Sequence, residues 1–126
     1  MSDHWNDNAP IYKQIRDRVA RAIMDGSFKE NEAVPSVRAV AAESKVNHLT
    51  VSKAYQELVD QGVLETRRGL GMFVLEGARN TLLAQEREAF SKIDLPQFIV
   101  RAESLGFSVD ELIELIQSSP SPSGAH

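Results

Sequence analysis

The sequence predicts a mostly helical α+β chain, in which one short β-hairpin separates two groups of helices. Three observations lead to this prediction. Apolar residues recur every three or four positions from residue 11 to 23, which is the period of an α-helix. Two strand-like runs, 63–66 and 72–75, flank a segment that contains glycine. A second helical pattern begins at Gly77.

The first helix is predicted over residues 10–25. Ile11, Ile15, Val19 and Ile23 fall on one side of it, and charged residues fall on the other. Proline is tolerated in a first turn and asparagine is a favourable cap, so Pro10 and Asn8 suit its start. Gly26 suits its end.

Two shorter helices follow a predicted loop at 27–34. Ser36 can cap the first, which runs to about Ser44, and Asn47 can cap the second, which Gly62 ends. Only residues 45–47 connect them. Two short helices so closely joined, the second with an outward face of mostly small or polar side chains, predict a helix-turn-helix.

The hairpin completes this arrangement. Its connecting segment, Arg67-Arg68-Gly69-Leu70-Gly71, is basic and contains two glycines. A helix-turn-helix followed by such a hairpin is a winged helix-turn-helix, predicted here over residues 1–76.

Residues 77–118 are predicted to form a short all-α dimerisation domain. Pro96 should kink or restart its first helix, Gly106 should end it, and Ser108 should cap a last helix. A 76-residue module can cover only part of the apolar stripe on these helices, so pairing with a second copy is expected. A small ligand pocket between the helices is the competing interpretation. Residues 119–126 are rich in Ser, Pro and Gly, and predict a disordered tail. The expected dimerisation residues are Leu82, Leu83, Phe90, Ile93, Phe98, Leu112 and Ile116.

The charge balance bears on the partner. A net charge of −4 argues mildly against nucleic acid, because phosphate contacts usually leave a basic footprint. However, residues 1–76 hold 10 Lys/Arg against 11 Asp/Glu, and residues 77–126 hold 4 against 7. Most of the net negative charge therefore lies outside the predicted helix-turn-helix.

Several residues and their spacing resemble the DNA-binding domain of GntR-family regulators. The matching motifs are Pro35-Ser36-Val37-Arg38, Val46-Asn47, Thr50-Val51, Ala54-Tyr55, Leu58, Gln61-Gly62 and Arg67-Arg68-Gly69-Leu70-Gly71-Met72-Phe73-Val74. The remaining residues are too few for the large effector-binding domains of most subfamilies. The short tail, with Ala102-Glu103-Ser104-Leu105-Gly106-Phe107-Ser108 and Glu111-Leu112-Ile113, is similar to the YtrA subfamily. This resemblance implies a compact homodimer joined through its C-terminal helices, in a subfamily that commonly regulates transporter-type operons.

The expected DNA-binding surface follows from these motifs. The resemblance implies a DNA contact for Arg38 and for Thr50. The alternative interpretation is a surface ion pair for Arg38 and, for Thr50, a hydrogen bond to the backbone at the helix start. The first turn of a recognition helix usually reaches base edges. His48, Leu49 and Ser52 depart from the family's commonest pattern there. They are therefore expected to affect which operator sequence the chain prefers. Tyr55 is expected in the core. The expected DNA-binding residues are Arg38, Asn47, His48, Leu49, Thr50, Ser52, Lys53, Arg67, Arg68 and Gly69.

An enzyme is not expected. The chain has no cysteine, its three histidines are scattered, and no acidic cluster has metal-ligand spacing. We therefore expect no metal and no cofactor. No apolar run is long enough to cross a membrane, and no secretion signal opens the sequence, so we expect a cytoplasmic protein without a membrane partner.

Two hypotheses follow. The first is a sequence-specific transcriptional repressor that binds a two-fold symmetric double-stranded operator as a homodimer, with a small-molecule effector left open. The alternative is a winged-helix protein-interaction module without specific DNA binding, which the acidic total charge favours.

Overall fold

Six α-helices and two β-strands follow one another in residues 9–120, the part of the chain that the computed structural model describes. The predicted cap Asn8 and residues 121–126 of the predicted disordered tail lie outside this part. The chain divides into two compact units, Met1–Gln85 and Glu86–His126. The elements are α1 (Ile11–Met24), α2 (Val37–Ser44), α3 (His48–Asp60), β1 (Leu64–Arg67), β2 (Gly71–Val74), α4 (Ala78–Ala89), α5 (Leu95–Ser104) and α6 (Val109–Ser118).

The core of the first unit forms around α1 and α3, which pack against each other. The predicted apolar side of α1 is the side that is buried, and it includes Ile15, Val19 and Ile23. At the end of α1, Gly26 has a φ of +87°, which favours glycine over other residues. The helix therefore begins and ends within one residue of the predicted bounds.

The hairpin formed by β1 and β2 is antiparallel, with Leu64 opposite Val74 and Arg67 opposite Gly71. The segment before α2, predicted only as a loop, also pairs with β2. Asn31 N–H donates to the Val74 carbonyl (2.7 Å) and Val34 N–H donates to the Met72 carbonyl (2.9 Å). This short segment therefore adds a third, strand-like edge that ties α2 to the hairpin.

Pro96 interrupts the helix of the second unit without ending it. A π-helical turn, Phe90–Asp94, lies directly before α5, and Leu95 N–H donates to the Phe90 carbonyl. Proline lacks an N–H and its ring clashes with the carbonyl four residues earlier in an α-helix. The wider turn takes up this mismatch. The predicted interruption is thus a local change of helix type followed by a new α-helix.

The last helix, α6, begins with a capping box. Glu111 N–H donates to Ser108 Oγ (3.1 Å), and Ser108 N–H donates to Glu111 Oε1 (3.0 Å). The predicted cap is therefore confirmed. Within residues 86–120, only Ala102 of α5 and Leu112 of α6 are buried.

Leu58→Ala should lower the free energy of unfolding by about 2–5 kcal/mol, because it leaves a cavity in a fully buried site. Leu49→Ala, the same substitution in the same helix, should change it by less than about 0.5 kcal/mol because Leu49 is 66% exposed. Urea denaturation followed by circular dichroism measures both. Similar losses from the two variants would contradict the placement of α3.

Candidate nucleic-acid interface

Helices α2 and α3 form the predicted helix-turn-helix, and each is capped as expected. Ala39 N–H donates to Ser36 Oγ (3.0 Å) at the start of α2, and Leu49 N–H donates to Asn47 Oδ1 (2.8 Å) at the start of α3. Between them, Lys45 adopts a left-handed conformation with a φ of 57°. The three-residue connection thus turns the chain sharply, and α3 begins beside α2.

The inner side of α3 is anchored in the core. Val51, Ala54, Tyr55 and Leu58 are buried, as predicted for Tyr55 in particular. The Tyr55 hydroxyl donates a 2.6 Å hydrogen bond to the carbonyl of Pro35, two residues before α2 begins. Burial raises the pKa of Tyr55 above its ordinary value of 10.0. This bond joins α3 directly to the start of α2.

The outer side of the pair brings four predicted residues together. Arg38 from α2, with Asn47, His48 and Leu49 from the start of α3, lines one open concavity. All four side chains are exposed, and the concavity is completed by apolar residues of α2 and of the turn. A guanidinium group, an amide, an imidazole and an apolar side chain therefore face solvent at one place.

Further along α3, the other predicted residues are either partly buried or in contact with a neighbouring ring. Thr50 and Ser52 are half-buried. Lys53 is exposed, but its Nζ lies 4.0 Å from the centroid of the Tyr12 ring, within cation–π range. Tyr12 was not predicted for this role, because its place beside the apolar stripe of α1 indicates only packing.

The hairpin separates the roles of its two arginines. Arg67, predicted at the tip, is the last residue of β1, and its Nε donates to Glu65 Oε1 (2.8 Å). Its guanidinium carbon also lies 4.2 Å from the centroid of the Phe73 ring. Arg68 and Gly69 form the exposed tip, together with Leu70, which is 70% exposed and was not predicted. Its exposure could have been predicted from the sequence, because Leu70 lies between two glycines in the turn of the hairpin.

The predicted dimerisation residues differ in exposure. Phe90, Ile93, Phe98 and Ile116 are 50–64% exposed, and Leu83 is half-buried. Leu82 is a correction, because it is only 3% exposed and belongs to the core of the first unit. The periodicity of α4 could not distinguish a residue that faces its own core from one that faces a partner. Leu112 is also buried, at 8% exposed.

Within 9–120, no three His, Cys, Asp or Glu side chains are placed to hold a metal ion. No helix in the same range is both long enough and apolar enough to cross a membrane.

The model of bacterial regulatory proteins of the gntR family matches residues 11–74, from the first residue of α1 to the last residue of β2. The chain belongs to the GntR family. This GntR-family chain is 36% identical over 110 residues to the HTH-type transcriptional repressor YtrA of Bacillus subtilis, covering 87% of this chain and 84% of YtrA. Its match to the crystal structure of a transcriptional regulator from Oenococcus oeni has a TM-score of 0.78 at 27% identity, covering 90% of this chain and 93% of the other.

The DNA-binding domain of AraR, in complex with operator ORX1, is a third similar structure. It matches with a TM-score of 0.52 at 26% identity, over 59% of this chain and 89% of the AraR domain. These similarities confirm the predicted GntR family, its YtrA subfamily and the fold class. The chain is a DNA-binding transcriptional regulator, since its relatives are regulators and not enzymes.

Tyr55→Phe should lower the free energy of unfolding by about 1–2 kcal/mol, because the Pro35 carbonyl loses its hydrogen bond. Tyr12→Phe is the matched control, as the Tyr12 hydroxyl forms no hydrogen bond within residues 9–120, and it should leave stability unchanged.

The same two variants test the pH dependence. The pKa of Tyr55 is higher in the folded than in the unfolded chain, so the unfolded chain loses this proton first and stability falls as the pH rises above about 10. Tyr55→Phe should lose less stability over that range than the parent chain or Tyr12→Phe, as followed by urea denaturation at several pH values. Equal losses in all three would contradict this role of Tyr55.

Proposed function

We propose that this regulator is a homodimeric repressor that binds a two-fold symmetric operator through α2, α3 and the tip of the hairpin. The observation that carries the proposal is the concavity at which Arg38 meets Asn47, His48 and Leu49. Residues at the N-terminal end of a recognition helix usually reach base edges in the major groove. The exposed start of α3 is therefore the base-reading surface.

The proposed contacts follow from the chemistry of each side chain. The planar guanidinium group of Arg38 can donate two hydrogen bonds at once to a guanine or to a phosphate. Leu49, 66% exposed, is suited to the methyl group of thymine. His48 and Ser52 offer hydrogen bonds to bases. These four side chains would determine the operator sequence that this chain prefers.

A second set of residues would contact the DNA backbone. Asn47 uses Oδ1 for its helix cap, which leaves its amide nitrogen to donate to a phosphate. Thr50 and Lys53 lie further along α3. In the hairpin, Arg68 and Gly69 form the tip, where an arginine suits the negative potential of a narrow minor groove. Arg67, bound to Glu65 and stacked on Phe73, would instead hold the hairpin in shape.

The dimer is supported by the unusual exposure of the second unit. Eleven large apolar side chains within residues 86–120 are at least 36% exposed. Monomeric proteins rarely leave so many large apolar side chains exposed, and so short a segment is too small to form a stable core alone. A second copy of the same segment would cover them. The side chains concerned are Phe90, Ile93, Leu95, Phe98, Val100, Leu105, Phe107, Val109, Ile113, Leu115 and Ile116.

Repression is supported by the relatives, since the similar protein YtrA is named a transcriptional repressor. A dimer bound across a promoter in the cytoplasm would block transcription by occupying the operator. A small-molecule effector stays open as a further partner.

Arg38→Ala and Arg68→Ala should each weaken operator binding about tenfold, because each removes a charged contact to the duplex. Arg21→Ala is the matched control, since Arg21 is exposed on α1 and does not line the concavity. Mobility shifts on the DNA upstream of the chain's own gene, at several salt concentrations, measure these affinities. Binding by the parent should weaken steeply as salt increases.

Two outcomes would contradict the proposed surface. Variants at Arg38 and Arg68 that bind as tightly as Arg21→Ala would show that the interface lies elsewhere. If the parent shows no sequence-dependent retardation even at low salt, the chain acts as a protein-interaction module instead.

Phe98→Glu and Ile116→Glu should convert the dimer to a monomer, because each places a charge within the apolar surface of the second unit. Asn80→Glu adds the same charge at an exposed position of the first unit and should leave the dimer intact. Sedimentation equilibrium measures the mass of each variant. A parent chain that sediments as a monomer would contradict the dimer directly.

A further inference from the structure

Three hydrogen bonds join the start of α4 to the end of α1 and to the loop that follows it. Glu30, in that loop, accepts from the backbone N–H of Gly77 at Oε1 (2.9 Å) and of Arg79 at Oε2 (3.3 Å). In return, Arg79 Nε donates to the carbonyl of Met24, the last residue of α1 (2.8 Å). We call these three bonds the Glu30–Arg79 clamp.

The clamp satisfies two helix ends at once. The first amides and the last carbonyls of a helix have no partner within it, and they carry partial positive and negative charge respectively. Glu30 places a carboxylate at the start of α4, and Arg79 places a guanidinium at the end of α1. Each charge therefore has the sign that its helix end favours.

The backbone and the core reinforce the same geometry. Gly77 has a φ of +83°, a conformation that other residues rarely adopt, and it turns the chain into α4. Ala78 and Leu82, in the first two turns of α4, are 0% and 3% exposed and belong to the core of the first unit. Core packing holds one side of α4, and the clamp fixes its first turn.

Helix α4 leads from the first unit into the residues that we propose to dimerise. Its first residues lie in the first unit, and its last residues, from Glu86, lie in the second. The start of α4 is therefore attached to the first unit by contacts within one protomer.

We propose that the Glu30–Arg79 clamp determines which spacing of operator half-sites the dimer accepts. This inference rests on the proposed dimeric operator binding. Two linked binding modules gain affinity only at separations that both can reach together, and a stiff link narrows the range of those separations. A fixed start of α4 is such a link. Neither Glu30 nor Arg79 lines the concavity of Arg38, so reading of a single half-site does not depend on them.

The test compares duplexes that carry two half-sites at the preferred spacing and at spacings lengthened by a few base pairs. The parent should favour its preferred spacing by about tenfold or more, whereas Glu30→Ala and Arg79→Ala should reduce this ratio to about threefold or less. Binding to a single half-site should stay within about twofold of the parent. The matched controls are Glu76→Ala and Arg21→Ala, exposed residues whose side chains form no hydrogen bond within residues 9–120, and they should keep the parent's ratio.

A second readout needs no DNA. Hydrogen exchange at the amides of Gly77 and Arg79 should be faster in Glu30→Ala than in the parent or in Glu76→Ala, because these amides lose their acceptor. If Glu30→Ala does not fold, Glu30→Gln keeps one carbonyl acceptor and should give an intermediate spacing ratio and exchange rate.

Different results would contradict the clamp and the proposed operator binding. An unchanged spacing ratio in the Glu30 and Arg79 variants would overturn the role in spacing. So would a loss of affinity for the single half-site as large as the loss of affinity for the paired half-sites. Unchanged exchange would overturn the clamp itself. A parent that binds at no spacing would instead contradict the proposed operator binding, and the exchange result would still show whether Glu30 holds the start of α4.

Discussion

The structure of the DNA-binding part depends on how the inner side of α3 is buried. Four side chains of this helix enter the core, and the Tyr55 hydroxyl reaches the Pro35 carbonyl at 2.6 Å. The hydrogen bond ties α3 to the start of α2 at a point between the core and the surface. Because the inner side cannot turn away from the core, the outer side must remain exposed. The concavity of Arg38 is the direct result of that constraint.

Local signals in the sequence were sufficient for most of the helices. The caps Ser36, Asn47 and Ser108 act within three residues, and the apolar period of α1 is read over fourteen, so both were predicted. Long-range contacts were not predictable in this way. The pairing of the segment before α2 with β2 joins residues about forty apart in the sequence, and the Glu30–Arg79 clamp joins residues still further apart. Leu82 was misplaced for the same reason, because periodicity shows that a side is apolar but does not show what covers it.

The charge distribution explains why the proposed dimer matters for binding. Two of the predicted cations are held by aromatic rings, Lys53 by Tyr12 and Arg67 by Phe73. Arg67 is also paired with Glu65, so each half of the proposed interface offers few cations to the DNA, in keeping with the acidic total charge. Two such halves on one operator would combine their affinities, because the second binding event becomes intramolecular. In this account, specificity comes from Arg38 and the start of α3, and affinity comes from the pairing of two copies.

The central claim is that α2, the start of α3 and the tip of the hairpin form the DNA-binding surface. The most direct test is to titrate the ¹⁵N-labelled chain with an operator duplex and to follow its amide resonances. We expect the largest shifts at residues 36–39, 47–53 and 68–70, with smaller shifts elsewhere in the first unit. Shifts concentrated outside these three segments, or no shifts at a concentration that saturates binding, would contradict it.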